Sequence, residues 1–284
     1  MSAIQQNWHS SAHEAKVEKF YSTGVEKYGE FHGGYLNFGL WEKSIQNYIQ
    51  AAENLILTLG KMGKLTPHSR LLDVACGMGS QDIFLHKHFG CVIEAVDVTW
   101  KHVQKTFSRI SRENLGNYIT VRQGTATQLP FPPGSFTQVL SIEGPEHFKT
   151  REDFFHEAHR VLCQDGVLCL ADFILKREPR NLPEKAIVEI TRRLWHVPKE
   201  NYDTSESYQK KLARAGFKNI LIQERGEQTI VGYYLEQKRK EIRKELQKIR
   251  GAFVTWGSLG IDYLTYKAFK DGLIEYILVR AEKA

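Results

Sequence analysis

Leu71-Leu72-Asp73-Val74-Ala75-Cys76-Gly77-Met78-Gly79-Ser80 is the stretch that decides how this chain folds. The apolar run predicts a strand, the small residues a tight turn, and the pattern after Ser80 a helix. Such a turn suits a nucleotide-like ligand, because residues without bulk let the backbone come close while the free N–H groups of the next helix face the ligand. Farther on, Cys91–Asp97 is a second apolar strand. It ends in an acid 24 positions after Asp73, where a ribose-binding carboxylate stands in a doubly wound sheet. Ala75 takes the first glycine position and Ser80 follows Gly79, so this is not the G-x-G-x-x-G dinucleotide fingerprint, and a different cofactor is indicated.

Asp73-x-Ala75-Cys76-Gly77-x-Gly79, followed by a strand ending in Val96-Asp97, resembles the first two motifs of the class I S-adenosylmethionine (SAM) dependent methyltransferases, small-molecule type. Residues 124–137, with Gly124-Thr125-Ala126, Leu129-Pro130-Phe131 and Ser135-Phe136-Thr137, look like the same family's Gly-Asp-Ala…Leu-Pro-Phe…Ser-Phe-Asp segment. The resemblance implies S-adenosyl-L-methionine as cofactor. By matching position it sets Asp73, Gly77 and Gly79 around the methionine portion, with Ala75 and Cys76 among the contacts. It gives the ribose hydroxyls to Asp97, the adenine face to Val98 and the adenine edge to Thr125 and Ala126. Ser141 and Glu143 at the end of the fourth strand, and Tyr28 and Tyr35 before the core, complete the implied cofactor contacts. Two positions depart from the family pattern: Thr125 stands where relatives carry an acid, and Trp100 where they carry a small residue or proline.

The chain has 284 residues and 42% hydrophobic content, enough for one large α/β domain with insertions. Its four cysteines lie in or beside expected strands and the N-terminus is polar, so a reducing cytoplasm is expected. No apolar run reaches the roughly 20 residues that span a bilayer. The net charge of +6 is local: residues 233–250 hold seven Lys/Arg and three Glu. With Leu235, Ile242, Leu246, Ile249 and Phe253 at helical spacing, that segment reads as an amphipathic helix with a solvated basic face, and no nucleic-acid partner is expected.

Residues 1–60 are expected to form an N-terminal helical arm or lid. Within it, glycines interrupt the aromatics of Phe31–Trp41, in a pattern similar to the segment that folds over the cofactor in small-molecule methyltransferases; the alternative is that the rings cover a sheet edge. Residues 61–175 hold five strands in β-turn-α rhythm, the SAM-binding Rossmann-like core. Residues 176–216 and 229–272 are helical cap insertions, and residues 217–228 and 273–284 the last core strands. The fold class is thus α/β: a doubly wound, Rossmann-like seven-stranded sheet with an antiparallel last strand.

Methyl transfer to a hydroxyl needs a base to take its proton. His147, on the loop after the fourth strand, and Asp172, ending the fifth, resemble the His-Asp arrangement of the rebeccamycin-type sugar O-methyltransferases, which implies His147 as base and Asp172 as its orienting partner. The alternative is a histidine that only packs or touches cofactor. An ordinary imidazole ionisation near 6–7 is expected for it. The expected activity is O-methylation of a small-molecule acceptor by a monomer or homodimer, with no metal. The alternatives are N- or C-methylation by proximity, a non-catalytic SAM-binding protein, or an RNA methyltransferase using the basic segment.

Overall fold

The computed structural model describes residues 11–22 and 25–283. Its strands are β1 (Arg70–Val74), β2 (Val92–Asp97), β3 (Ile119–Gln123), β4 (Phe136–Ile142), β5 (Leu162–Leu175), β6 (Phe217–Glu224) and β7 (Ile274–Lys283). They form one sheet in the order β3-β2-β1-β4-β5-β7-β6. Pairings from β3 through β5 are parallel, and β7 runs antiparallel to both β5 and β6. The expected doubly wound sheet with an antiparallel last strand is therefore present.

Helices α1 (Ala12–Ser22), α2 (Val25–Phe31) and α3 (Tyr48–Met62) precede the sheet. Between its strands lie α4 (Ser80–Phe89), α5 (Trp100–Arg112), α6 (Arg151–Val161), α7 (Leu182–Leu194) and α8 (Ser205–Arg214). Next come α9 (Gly232–Gln237), α10 (Lys240–Arg250) and α11 (Ala252–Lys270), all inserted between β6 and β7. Among the described residues no helix is long and apolar enough to cross a membrane.

The inner strands β1, β4, β5 and β7 are largely apolar because both sheet faces are covered there, while the edge strands β3 and β6 alternate or are exposed. Successive residues go to opposite cores. Leu71, Ile93, Leu140 and Cys169 pack with Leu55, Ile56 and Leu59 of α3 and Val103 of α5, while Leu72, Val96, Val139 and Leu168 pack with Phe154 and Phe155 of α6 and Tyr208 of α8. Helix α6 buries Phe154, Phe155, Ala158 and Val161 at helical spacing. Its start is fixed by a capping box between Thr150 and Asp153.

The segment 233–253 corrects the expectation of one amphipathic helix. The chain breaks it after Gln237 and again at Gly251, whose φ of 85° is in the left-handed region. The five apolar residues therefore never share one stripe: Leu246 is buried, while Leu235 and Phe253 are 56% and 92% exposed.

One buried ion cluster ties the strand ends together. The guanidinium of Arg151, fully buried at the start of α6, donates from Nη1 to Asp203 Oδ2 at 2.8 Å and from Nη2 to Asp172 Oδ1 at 3.1 Å. It also donates to the carbonyls of Phe173 and Asn201. Arg151→Ala leaves Asp172 buried without its cation, while Asp203 keeps Lys211 at 2.8 Å, and is expected to cost about 3–5 kcal/mol. Urea unfolding of the variant beside the wild type measures it.

Candidate active site

A cavity of about 550 Å³ lies along the carboxyl ends of β1, β2, β4 and β5 and runs on beneath α1, α7 and α11. Its nucleotide end is built by the turn after β1. There Ala75, Gly77 and Gly79 all take left-handed φ values of 66°, 58° and 79°. Ala75 thus does the conformational work of the glycine it replaces, at the steric cost a Cβ carries in that region. At Gly79 no side chain fits, because a Cβ would collide with Thr106 of α5. The curl aims Gly77 N–H at Asp97, which accepts it on Oδ2 at 2.9 Å and Thr99 N–H on Oδ1 at 2.8 Å. Asp97 and Val98 line the cavity, as do Ala75, Cys76, Gly77, Thr125 and Ala126.

Asp73 does not. Its carboxyl is fully buried beneath the turn and accepts from Gln81 Nε2 at 2.6 Å, and it is Gln81 that reaches the cavity. Nor do three other implied contacts line the cavity, among them Gly79, which is set against Thr106. Ser141 donates to the Val74 carbonyl at 2.6 Å and staples β4 to β1. Tyr35 is turned into the core, where its hydroxyl donates to Glu53 at 3.1 Å. Tyr28 and Glu143 do line the cavity. Glu143 sits at the end of β4 with φ 54° and accepts from Phe38 N–H and from the Tyr276 hydroxyl. Burial pushes its carboxyl up to about 8. A non-glycine residue held at positive φ on a cavity wall is strain of the sort that functional sites keep.

Helix α1 brings residues that no motif signals. Glu14 accepts from the hydroxyl of Thr125, and Glu18 accepts from Trp100 N–H at 3.3 Å. Tyr21 lies 3.0 Å from Nε2 of His147 through its hydroxyl, and His13 Nε2 meets the His147 carbonyl at 2.9 Å. Glu14 lines the cavity beside Thr125, so a carboxylate reaches the edge where the family pattern has an acid and this chain has a hydroxyl. Trp100, the other departure, offers its backbone N–H to the same helix.

The expected His147–Asp172 pair is not formed. Asp172 is fully buried and taken by Arg151, by the Tyr208 hydroxyl at 2.9 Å and by Phe173 N–H. Between the two residues stands Glu146, with Oε1 3.9 Å from His147 Nε2. Burial, and then the neighbouring Asp172, hold the Glu146 carboxyl well above its ordinary range. His147 itself lines the cavity. Burial first, then His13 and His196, push its imidazole down to about 3, which replaces the expected ionisation near 6–7.

Residues 72–170 match the family model described as a methyltransferase domain. Over that stretch the chain carries a methyltransferase domain. It is 33% identical over 193 residues to erythromycin 3''-O-methyltransferase of Saccharopolyspora erythraea, covering 66% of this chain and 63% of that protein. It spans less than two thirds of the length of the first curated relatives it matches. Among solved structures, a putative sarcosine dimethylglycine methyltransferase from Galdieria sulphuraria is similar with TM-score 0.80 at 18% identity, covering 95% of this chain and 98% of that one. A geranyl diphosphate C-methyltransferase from Streptomyces coelicolor A3(2) gives TM-score 0.76 at 15% identity, covering 97% and 99%. These two likenesses show the fold.

Beneath the glycine turn of the methyltransferase domain, burial pushes the Asp73 carboxyl up to about 6, and burial and then Asp73 hold Asp82 of α4 well above the ordinary carboxylate range. A folded chain that holds protons the unfolded chain has released loses stability as pH rises, here from about 4 through 6 and beyond. Asp82→Asn, which removes one of the two acids, is expected to raise the melting temperature at pH 8 by more than it does at pH 5. Scanning calorimetry at both values tests this.

Proposed function

We propose that this chain is a SAM-dependent methyltransferase acting on a hydroxyl of a small-molecule acceptor, with His147 taking the proton. The observation that carries the reading is one continuous cavity running from the glycine turn and Asp97 to Nε2 of His147. The residues present fit the cofactor. Each oxygen of Asp97 keeps a further lone pair for a ribose hydroxyl beyond the backbone N–H it already accepts. The turn exposes backbone at Ala75–Met78 for the methionine portion, and Glu14 stands ready to accept from the adenine amino group beside Thr125. SAM supplies an electrophilic methyl on a sulfonium. The chain orients, excludes water and moves a proton.

The proton goes to His147 Nε2. Burial holds the Tyr21 phenol protonated, so its O–H donates to that nitrogen, and an acceptor hydroxyl takes the same place when Tyr21 gives way. With its imidazole pushed down to about 3, His147 is neutral at every ordinary pH, a weaker base than a free imidazole, so it takes the proton only as the methyl is transferred. Glu146, not Asp172, is the carboxylate nearest the imidazolium that results. Nitrogen and carbon acceptors, as in the names of the structural neighbours, remain the second reading; there the chain acts by proximity and His147 only shapes the pocket.

Three results test the proposal. S-adenosylhomocysteine should bind at about micromolar affinity. Glu14→Gln should weaken it about tenfold, the worth of a hydrogen bond to a charged group, and should not weaken S-inosylhomocysteine, which presents no amino group there. His147→Ala should leave that affinity nearly intact and cut turnover about 10²–10⁴-fold, with no histidine ionisation in the wild-type rate between pH 5 and 8. A small loss in His147→Ala selects the proximity reading.

A further inference from the structure

At the end of the cavity away from the glycine turn, the cap supplies an apolar wall from Val188, Leu194, Trp195, Val254 and Ile261. Three charged side chains interrupt it, and one of them, Arg192 of α7, is already paired with Glu189 at 2.7 Å. Asp262 of α11 is 7% exposed and lines the cavity, yet none of the described residues hydrogen-bonds its carboxylate. Arg250, at the end of α10, lines the same end. It donates from Nη2 to Ser258 Oγ at 2.6 Å, lies 4.9 Å from the centre of the Tyr28 ring, and buries its Nε without a hydrogen-bond partner.

A buried carboxylate without donors is costly, and burial of Asp262 in this apolar wall pushes its carboxyl up to about 7 although Arg250 lowers it. What the pair offers is an acceptor beside a donor. An ammonium satisfies Asp262 but is repelled by Arg250, and a phosphate meets the reverse problem. A hydroxyl pair does both jobs at once, accepting from the guanidinium and donating to the carboxylate. Resting on the methyl-transfer reading, we infer that Asp262 and Arg250 form a clamp for an uncharged, hydroxyl-bearing head group, as in a sugar, carried on an otherwise apolar acceptor.

The test uses the full chain saturated with S-adenosylhomocysteine and three probes sharing one tail: hexyl β-D-glucopyranoside, hexylamine and hexyl phosphate. Binding is read from tryptophan fluorescence, Trp195 being on the cavity wall. The glucoside should bind about tenfold or more tighter than the other two, and Asp262→Leu should weaken the glucoside by about tenfold or more. Asp262→Leu should also raise the melting temperature, by about 2–4 °C, because it removes a desolvated charge. Preference for the amine or the phosphate, absence of glucoside binding, or unchanged glucoside affinity in Asp262→Leu overturns the clamp. So does a lowered melting temperature in Asp262→Leu that Asp262→Asn restores, which makes the carboxylate a structural partner of Arg250. Failure of S-adenosylhomocysteine to bind strikes the methyl-transfer reading instead, and the head-group comparison is then made on the protein alone.

Discussion

The carboxylate of Asp97, holding Gly77 N–H on one oxygen and Thr99 N–H on the other, is the constraint on which the nucleotide end of this protein depends. The parallel register of β1 and β2, with Val74 opposite Val96, places that acid one step beyond the last paired residue, level with the turn. Three consecutive odd positions, 75, 77 and 79, then curl left-handed, and the curl is what points Gly77 N–H at the acid. The same curl brings Gly79 against Thr106, so the turn is fixed from two sides, by a hydrogen bond and by a steric stop. On the proposed reading, a rigid turn with its carboxylate already oriented would leave little to order when a ribose binds.

Helix α1 builds the second half of the site from an unrelated part of the chain. Glu14, Glu18 and Tyr21 fall at helical spacing on one face, and each reaches a different loop of the sheet: Thr125, Trp100 and His147. One short helix thereby joins the adenine edge, the start of α5 and the proposed base. Its attachment rests on polar contacts around a cavity, with Val17 its only buried residue, and elements held in that way open more cheaply than packed ones. On the proposed reading, closure of α1 and formation of the chemical site are one event, which would link cofactor capture to the exclusion of water from the methyl being moved.

The sheet was legible because the faces of its inner strands are buried, so those strands are largely apolar, and because glycine and a strand-end acid are forced by backbone geometry at Gly77, Gly79 and Asp97. Residues whose role depends on distant partners were not. Asp172 carries the right residue type at the right strand end, but its partner is Arg151, which in sequence looks like any basic residue opening a helix. Ser141 and Tyr35 face away from the cavity because β4 must be pinned to β1 and the arm to α3, and neither demand leaves a local signature. Glu14 lies among ordinary helix-surface acids, and its reach to Thr125 is visible only in three dimensions. The supposed basic stripe fails for a local reason that was available, the left-handed Gly251. Asp262 had a signal as well, being the sole acid in the nineteen-residue apolar and aromatic helix α11.

The central claim is that the turn, Asp97 and helix α1 together enclose one adenosyl cofactor with its sulfur directed toward His147. A crystal structure of the protein with S-adenosylhomocysteine tests it most directly. The account predicts both ribose hydroxyls within hydrogen-bond distance of Asp97, the adenine amino group beside Glu14 and Thr125, and α1 closed over the nucleoside. A nucleoside seated elsewhere in the cavity, or bound with α1 displaced and Glu14 in solvent, contradicts it.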